Sequence, residues 1–344
     1  MMMAAALFLL QAGAPYAAAA PTGQGEVRYT VGWADSWSRI GGYLNDPRAI
    51  DALAVRNRLR PRQMLSGGQV IAIPLAWLKS VPMQARIVAF RGPVRVQGAS
   101  SARIGGMVGE GARILTGPAA SITLRLPDGS TVALPSQSAI RIERLRAILL
   151  NNVYDRRFVL ESGRSQYEVT PDHRDGSRFD IKTPVSVAAV RGTIFRVSLP
   201  QGGGANTETL RGDVGVAGHS GGVDVPQGFG VHSDLHSTGR PVKLLSAPRL
   251  VSIGPSPLGP ETMLLAPVPG ARSYHVQVAT DKNFAQLLGD VRAQKPIVPL
   301  SPTEIGTYYL RVTAVDANGL EGLPNTVTYH HDQAESADAP NTGS

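Results

Sequence analysis

The chain of 344 residues contains no cysteine. That absence excludes a disulfide framework, a thiol nucleophile and thiolate metal sites. No apolar run reaches the roughly 18 residues that a membrane-spanning helix needs, so no membrane span is expected. No serine nucleophile elbow, Gly-rich phosphate loop or zinc motif occurs. The seven histidines are scattered. His219, His232 and His236 stand closest together, in no metal-binding motif, and read as structural or surface residues. Acidic pairs give no support for a glycosidase, because any two carboxylates can meet in a strand-rich chain. No catalytic residue, metal or cofactor is therefore assigned. Charge is not blocked either. The excess of +8 is carried mainly by arginine spread along the chain, densest at Arg56, Arg58, Arg60 and Arg62. Such a surface attracts anionic polymers and lipids, while its spread argues against nucleic acid as a partner.

What the sequence does have is glycine and proline, 38 and 26 residues. They suit many short strands joined by turns, and the length suggests two or three domains. No strict repeat period is present. Residues 4–14 are apolar and Ala18-x-Ala20 fits a small-residue cleavage site, so residues 1–20 are expected to be a signal peptide, although a positive n-region is missing. The expected location is periplasmic or secreted, associated with the cell envelope.

Residues 27–74 read as strand, helix, helix, strand. Val27–Val31 is a short strand, and Asp35-Ser36 caps a helix with Trp37, Ile40 and Leu44 on one face. Asn45-Asp46-Pro47 breaks it, a second helix follows, and Gly68–Pro74 forms the last strand. The phrases Tyr29-Thr-Val, Asp35-Ser-Trp-Ser-Arg-Ile, Pro61-Arg-Gln-Met-Leu and Gly68-Gln-Val-Ile-Ala-Ile-Pro74 resemble a LysM module. The resemblance departs at the first loop, where Ala34-Asp35-Ser36 stands for Gly-Asp-Thr. It implies a shallow groove for N-acetylglucosamine polymers, such as peptidoglycan. Matched by position, its carbohydrate-binding residues would be Ala34, Asp35, Ser36, Trp37, Leu59, Arg60, Pro61, Arg62, Gln69 and Ile73.

Residues 84–248 alternate short strands with Gly corners, the clearest hairpin being 122–135 around Pro-Asp-Gly-Ser. Within them, Asp180–Leu199 places Ile181, Val185, Val187, Ala189, Phe195, Val197 and Leu199 at odd positions, one face of an extended strand. Arg191-Gly192 interrupts it. Gly192 is expected to hold a conformation or contact that a Cβ would obstruct. Arg191, on the apolar parity, is expected to be buried and paired, with Glu161, Glu168 and Asp213 as candidate partners. The alternative is that Gly192 turns the chain and throws Arg191 into solvent. The string Thr183-Pro184-Val-Ser-Val-Ala-Ala-Val-Arg191-Gly192-Thr193-Ile-Phe195-Arg-Val197 resembles the signature of FecR-type domains. This implies a β-solenoid or rolled β-sandwich used as a periplasmic relay or scaffold. The regulators of that family signal through one membrane helix to a sigma factor. Without an apolar run for that helix here, the resemblance supports the domain and not the pathway.

Residues 249–260 are rich in Pro and Gly and read as a linker. In 261–330, Tyr274, Val276 and Val278 alternate, as do Tyr308, Leu310, Val312 and Ala314. These phrases resemble a fibronectin type III-like β-sandwich. Residues 331–344 read as a disordered polar tail. The expectation is thus a mainly β, multidomain, non-enzymatic protein that binds peptidoglycan and presents a scaffold or sensor surface to an envelope protein that the sequence does not name. A cell-wall hydrolase or hydrolase cofactor is the alternative.

Overall fold

The computed structural model describes residues 25–97, 102–172, 174–256, 259–300 and 305–331. The signal-peptide expectation for 1–20 and the tail from 332 onward lie outside the described residues. The protein is mainly β.

The N-terminal unit comprises β1 (Glu26–Thr30), α1 (Trp37–Gly42), α2 (Ile50–Arg56) and β2 (Val70–Pro74). The two strands pair antiparallel, with Val27 opposite Ile73. Ser36 accepts a hydrogen bond from the Arg39 amide and so caps α1. Asn57 ties the end of α2 to the second strand, donating to the Leu53 and Ala72 carbonyls and accepting from the Ala72 amide. Val27, Ile40, Leu53, Ile71 and Ile73 form the core, together with Ile148 and Val153 from far downstream. The unit therefore does not close its hydrophobic core from its own residues.

The central region runs β3 (Ser80–Pro82), β4 (Ala85–Arg91), β5 (Val94–Gln97), β6 (Met107–Val108), β7 (Arg113–Thr116), β8 (Ser121–Arg125) and β9 (Thr131–Leu134). It continues with β10 (Ala139–Ile148), β11 (Val153–Ser162), β12 (Arg164–Glu168), β13 (Arg178–Lys182) and β14 (Ser186–Val190). It ends with β15 (Ile194–Ser198), β16 (Ala205–Arg211), β17 (Asp213–Gly218), β18 (Gly221–Pro226), β19 (Phe229–Ser233) and β20 (Val242–Lys243). These strands make two nine-stranded sheets. The first has the order β18-β17-β14-β13-β11-β10-β7-β5, with β3 beside β10; the second is β20-β19-β16-β15-β12-β9-β8-β4-β6. Their inner faces share one core, in which Phe158, Tyr167, Phe179 and Phe195 pack within 6.4 Å of one another, ring centre to ring centre, in the contacts they make. The pairing is antiparallel except between β11 and β13. Of the two folds expected, this is the two-layer sandwich; a solenoid would stack its rungs in parallel.

The chain passes between the layers at left-handed glycines. Gly163, Gly192, Gly212 and Gly228 have φ of +72°, +94°, +79° and +80° and stand at four such crossings.

The signature stretch departs from its expected single-strand pattern. A tight turn at Thr183–Val185, in which the Thr183 hydroxyl accepts from the Val185 and Ser186 amides, separates β13 from β14. That turn reverses the parity. Ser186, Ala188 and Val190 are buried, Ala189 is exposed, and odd parity returns only at Phe195 and Val197. A period-two argument holds within one strand and fails across a turn.

The C-terminal region comprises β21 (Leu250–Ser256), β22 (Gly259–Leu265), β23 (Ser273–Ala279), β24 (Leu287–Ala293), β25 (Ile297–Leu300), β26 (Gly306–Val315) and β27 (Asn325–His331). They form sheets ordered β21-β22-β25 and β24-β23-β26-β27. Within the 249–260 stretch expected as a linker, residues 250–256 form an edge strand, where a proline is tolerated, and 259–260 begin its neighbour. Tyr274, Val276, Leu310, Val312 and Ala314 share the core with Met263 and Val298 of the other sheet. The opposite face of β23 and β26 packs on the outside of the second central sheet, where Thr123 donates to the Ala285 carbonyl at 3.2 Å.

Candidate functional site

Two places concentrate functional groups. The first lies between the β1–α1 loop and the loop before β2. The Asp35 carboxylate accepts from the Tyr29 hydroxyl at 2.6 Å and the Gly32 amide at 2.7 Å, and pairs with Arg39 at 3.4 Å. The Tyr29 hydrogen bond holds this carboxylate below its ordinary range, while burial and the same bond push Tyr29 up to about 12. Trp37 Nε1 donates to the Gln63 carbonyl at 2.6 Å and joins the two loops. Gln69 Oε1 accepts from the Ser66 amide at 3.1 Å.

The expected groove residues divide accordingly. Asp35, Ser36 and Gln69 are committed to internal bonds. Ile73 is fully buried and Leu59 packs against the core, so their side chains hold the module together and do not face a ligand. Ala34, Arg60, Pro61 and Arg62 are exposed and Trp37 is partly so. The residue that sequence reasoning missed is Trp33. It is 94% exposed, and its ring lies against Gly67, where a Cβ would come within 2.8 Å of ring atoms. Glycine there lets an indole lie on the backbone of the opposite loop with its other face open. Met64 is 89% exposed on the loop before β2, which also carries the exposed Arg60 and Arg62.

The second place is the junction between the central sandwich and the C-terminal region. Arg196 donates to Glu321 Oε1 at 3.1 Å, and to the Glu321 and Gly322 carbonyls at 2.5 and 2.8 Å. Glu208 accepts from the Glu321 amide at 3.1 Å. Arg164 pairs with Asp290 at 2.9 Å and with Glu321 at 3.5 Å. His275 lies between the two acids, with Nε2 2.7 Å from Asp290 and Nδ1 2.9 Å from Glu321. Burial pushes Glu208 up to about 7. In Glu321, His275 and Arg196 overcome burial and hold the carboxyl well below its ordinary range. Arg196 points away from the sandwich core, yet it is buried because the downstream sheet covers it.

Arg191, expected to be the buried guanidinium, is exposed at the corner between β14 and β15. Of its proposed partners, Glu161 is engaged by Arg113 and Arg141. The corner turns on Gly192, where a Cβ would sit 2.6 Å from Pro171 Cα. Thr193 and Phe195 are buried behind it, and Pro184 is exposed in the preceding turn. Left-handed glycine, a corner between layers and buried residues on the next strand make this segment a structural signature.

Residues 112–215 match the FecR protein family. The segment is a FecR domain. It spans β7 to the middle of β17 and so includes the Gly192 corner, within the wider 84–248 expected from the sequence. No curated protein matches the chain. Two crystal structures of a protein from Parabacteroides distasonis, provisionally named an anti-sigma factor, align with it at 19% identity. The alignment covers 38% of this chain and 58% of that one, with a TM-score of 0.31, a likeness too slight to carry argument. The chain therefore spans less than two thirds of the length of the structures that it matches.

His219, His232 and His236 are not drawn together: among the described residues, no group of three His, Asp or Glu side chains is arranged to hold a metal ion. His232 bonds Asn206 at 2.7 Å, and His219 and His236 are exposed.

Proposed function

We propose that this protein is a non-enzymatic component of the cell envelope that binds peptidoglycan or a related N-acetylglucosamine polymer through residues 27–74, while its FecR domain serves as a sensor or scaffold module for a second envelope protein. The glycan reading rests on one observation: two loops of a strand–helix–helix–strand unit, tied by Trp37, present the open face of Trp33 on the side where a LysM module binds sugar. An exposed indole gives the apolar face of a pyranose ring a stacking surface, and exposed backbone in the flanking loops offers partners for acetamido groups. The surrounding arginines favour an acidic wall polymer. The sensor reading rests on the FecR match, and both readings support a periplasmic or secreted location.

The test is co-sedimentation of the full chain with purified sacculi. The full chain is used because Ile148 and Val153 complete the module's core. Wild type is expected to pellet with sacculi and Trp33→Ala to remain in the supernatant. Equal pelleting of the two, or none by wild type, defeats the glycan reading.

A further inference from the structure

A cavity of about 450 Å³ opens beside the ionic cluster, between the outer face of the second central sheet and the C-terminal region. It is of small-molecule size. Five arginines line it: Arg125, Arg164, Arg196, Arg211 and Arg311. Three carboxylates do so, Glu168, Glu208 and Glu321. Arg164 and Arg196 are matched by Glu208 and Glu321. Glu168 is left against three further guanidinium groups.

Arg311 is the notable one. Its guanidinium lies 3.8 Å over the Phe284 ring. Its polar contacts are two neutral amides, Gln166 Oε1 at 3.3 Å and Gln277 Oε1 at 3.5 Å. Among the described residues no carboxylate forms an ion pair with it. Asp281, the acid on the adjacent turn, is occupied by the amides of Asn283, Ala285 and Gln286. Arg196, on the facing sheet, keeps a buried Nε with no hydrogen-bond partner. A guanidinium withdrawn from water and left without an anion is costly, and its planar fork matches two oxygens of a carboxylate or phosphate. Stacking on Phe284 fixes the plane of that fork.

We propose that this cavity is a binding site for a small oxyanion-bearing molecule, with Arg311 as the principal anion contact and Arg125 and Arg211 adding positive field at the walls. Burial, reinforced by the repulsion of Arg196 and only partly offset by Glu321 and Asp281, pulls the Arg311 guanidinium down to about 10. The proposal is independent of the glycan surface, since it involves neither its loops nor its residues.

Calorimetric titration of the full chain with inorganic phosphate and, separately, with malonate tests it, at constant ionic strength in chloride. At least one anion is expected to bind with 1:1 stoichiometry. Phosphate alone assigns a phosphoryl group, malonate alone a carboxylate, and both a general oxyanion site. Arg311→Gln should weaken that binding about ten- to hundredfold, the loss of one charged hydrogen-bonding group. Without added anion, Arg311→Gln should unfold at the same temperature as wild type or higher, because it removes an uncompensated cation. Absence of binding to wild type, equal binding by the variant, or a lower unfolding temperature for the anion-free variant overturns the proposal.

Discussion

Arg196 of the FecR domain and Glu321 of the C-terminal region are joined by both the side chain and the main chain of the glutamate, across 125 residues of sequence. The second central sheet thus does not present its outer face to solvent at this point. A buried ion pair of this kind defines how two units dock more than it stabilises them, but removing one partner leaves the other charge stranded. Glu321→Ala removes the carboxylate that Arg196, Arg164 and His275 share, leaving Arg196 with Glu208 and the other two with Asp290 alone. Its expected cost is about 3–5 kcal/mol, read as a lower urea midpoint. Should the midpoint of Glu321→Ala equal that of wild type, the junction is not closed in solution.

A second expectation concerns acid and base. Glu208 is fully buried and its carboxyl is raised from 4.5 to about 7. The native state therefore holds a proton that the unfolded chain releases at lower pH. The resulting stabilisation is complete below about 4.5 and is lost as pH rises toward about 7. Glu321 and Asp290 are shifted the opposite way, so their contribution is present above the ordinary carboxylate range and lost in stronger acid. Glu208→Gln, which keeps a neutral hydrogen-bonding group, should flatten the decline between pH 4.5 and 7. Unfolding free energies at four pH values in that window decide it; an unchanged slope in the variant rejects the assignment to Glu208.

The glycine at the signature corner gives a third. Gly192 has φ of +94° and no room for a Cβ beside Pro171. Backbone strain alone makes Gly192→Ala cost about 1–3 kcal/mol, and the close contact adds to it. Gly254→Ala, where a Cβ meets nothing within 4 Å and φ is not left-handed, is the control. Equal unfolding temperatures for the two variants would falsify the idea that this corner is sterically closed.

The fourth separates recognition from folding at the N-terminal module. Trp33→Ala removes an exposed side chain and should change stability by less than about 0.5 kcal/mol while abolishing sacculus binding. Trp37→Ala breaks the bond to Gln63 that joins the two loops, and should lower both binding and the thermal midpoint. If Trp33→Ala also lowers the midpoint, the ring is a structural strut and its exposure is incidental.

Local signals were legible in the sequence and cross-chain ones were not. The 122–135 hairpin and the alternating cores of β23 and β26 could be read because each depends on residues only a few positions apart. The strand parity of 180–199 was misread because Thr183–Val185 forms a turn that alternation alone does not reveal. Arg191 is exposed where burial was expected for that reason, and Arg196 is buried for another: what covers the outer face of a strand is decided by a sheet more than a hundred residues away. Trp33 was passed over because it lies between two matched phrases, Tyr29-Thr-Val and Asp35-Ser-Trp-Ser-Arg-Ile. The pair Gly67-Gly68 opposite, small enough to admit an indole, was the available signal. The oxyanion cavity has no sequence signature, since its walls come from both units.

Both central sheets are laid down almost entirely in chain order, each successive hairpin joining the open edge of one layer or the other. No later strand has to be inserted between two that are already paired, apart from the short β3 and β6 flanks. Such a sandwich can zip up directionally as the polypeptide is synthesised, N-terminal rungs first, with a growing edge that always waits for the next segment. The same geometry gives evolution a simple way to change the domain's length: a duplicated pair of hairpins with its glycine corners extends both layers by two strands and leaves every existing rung in register.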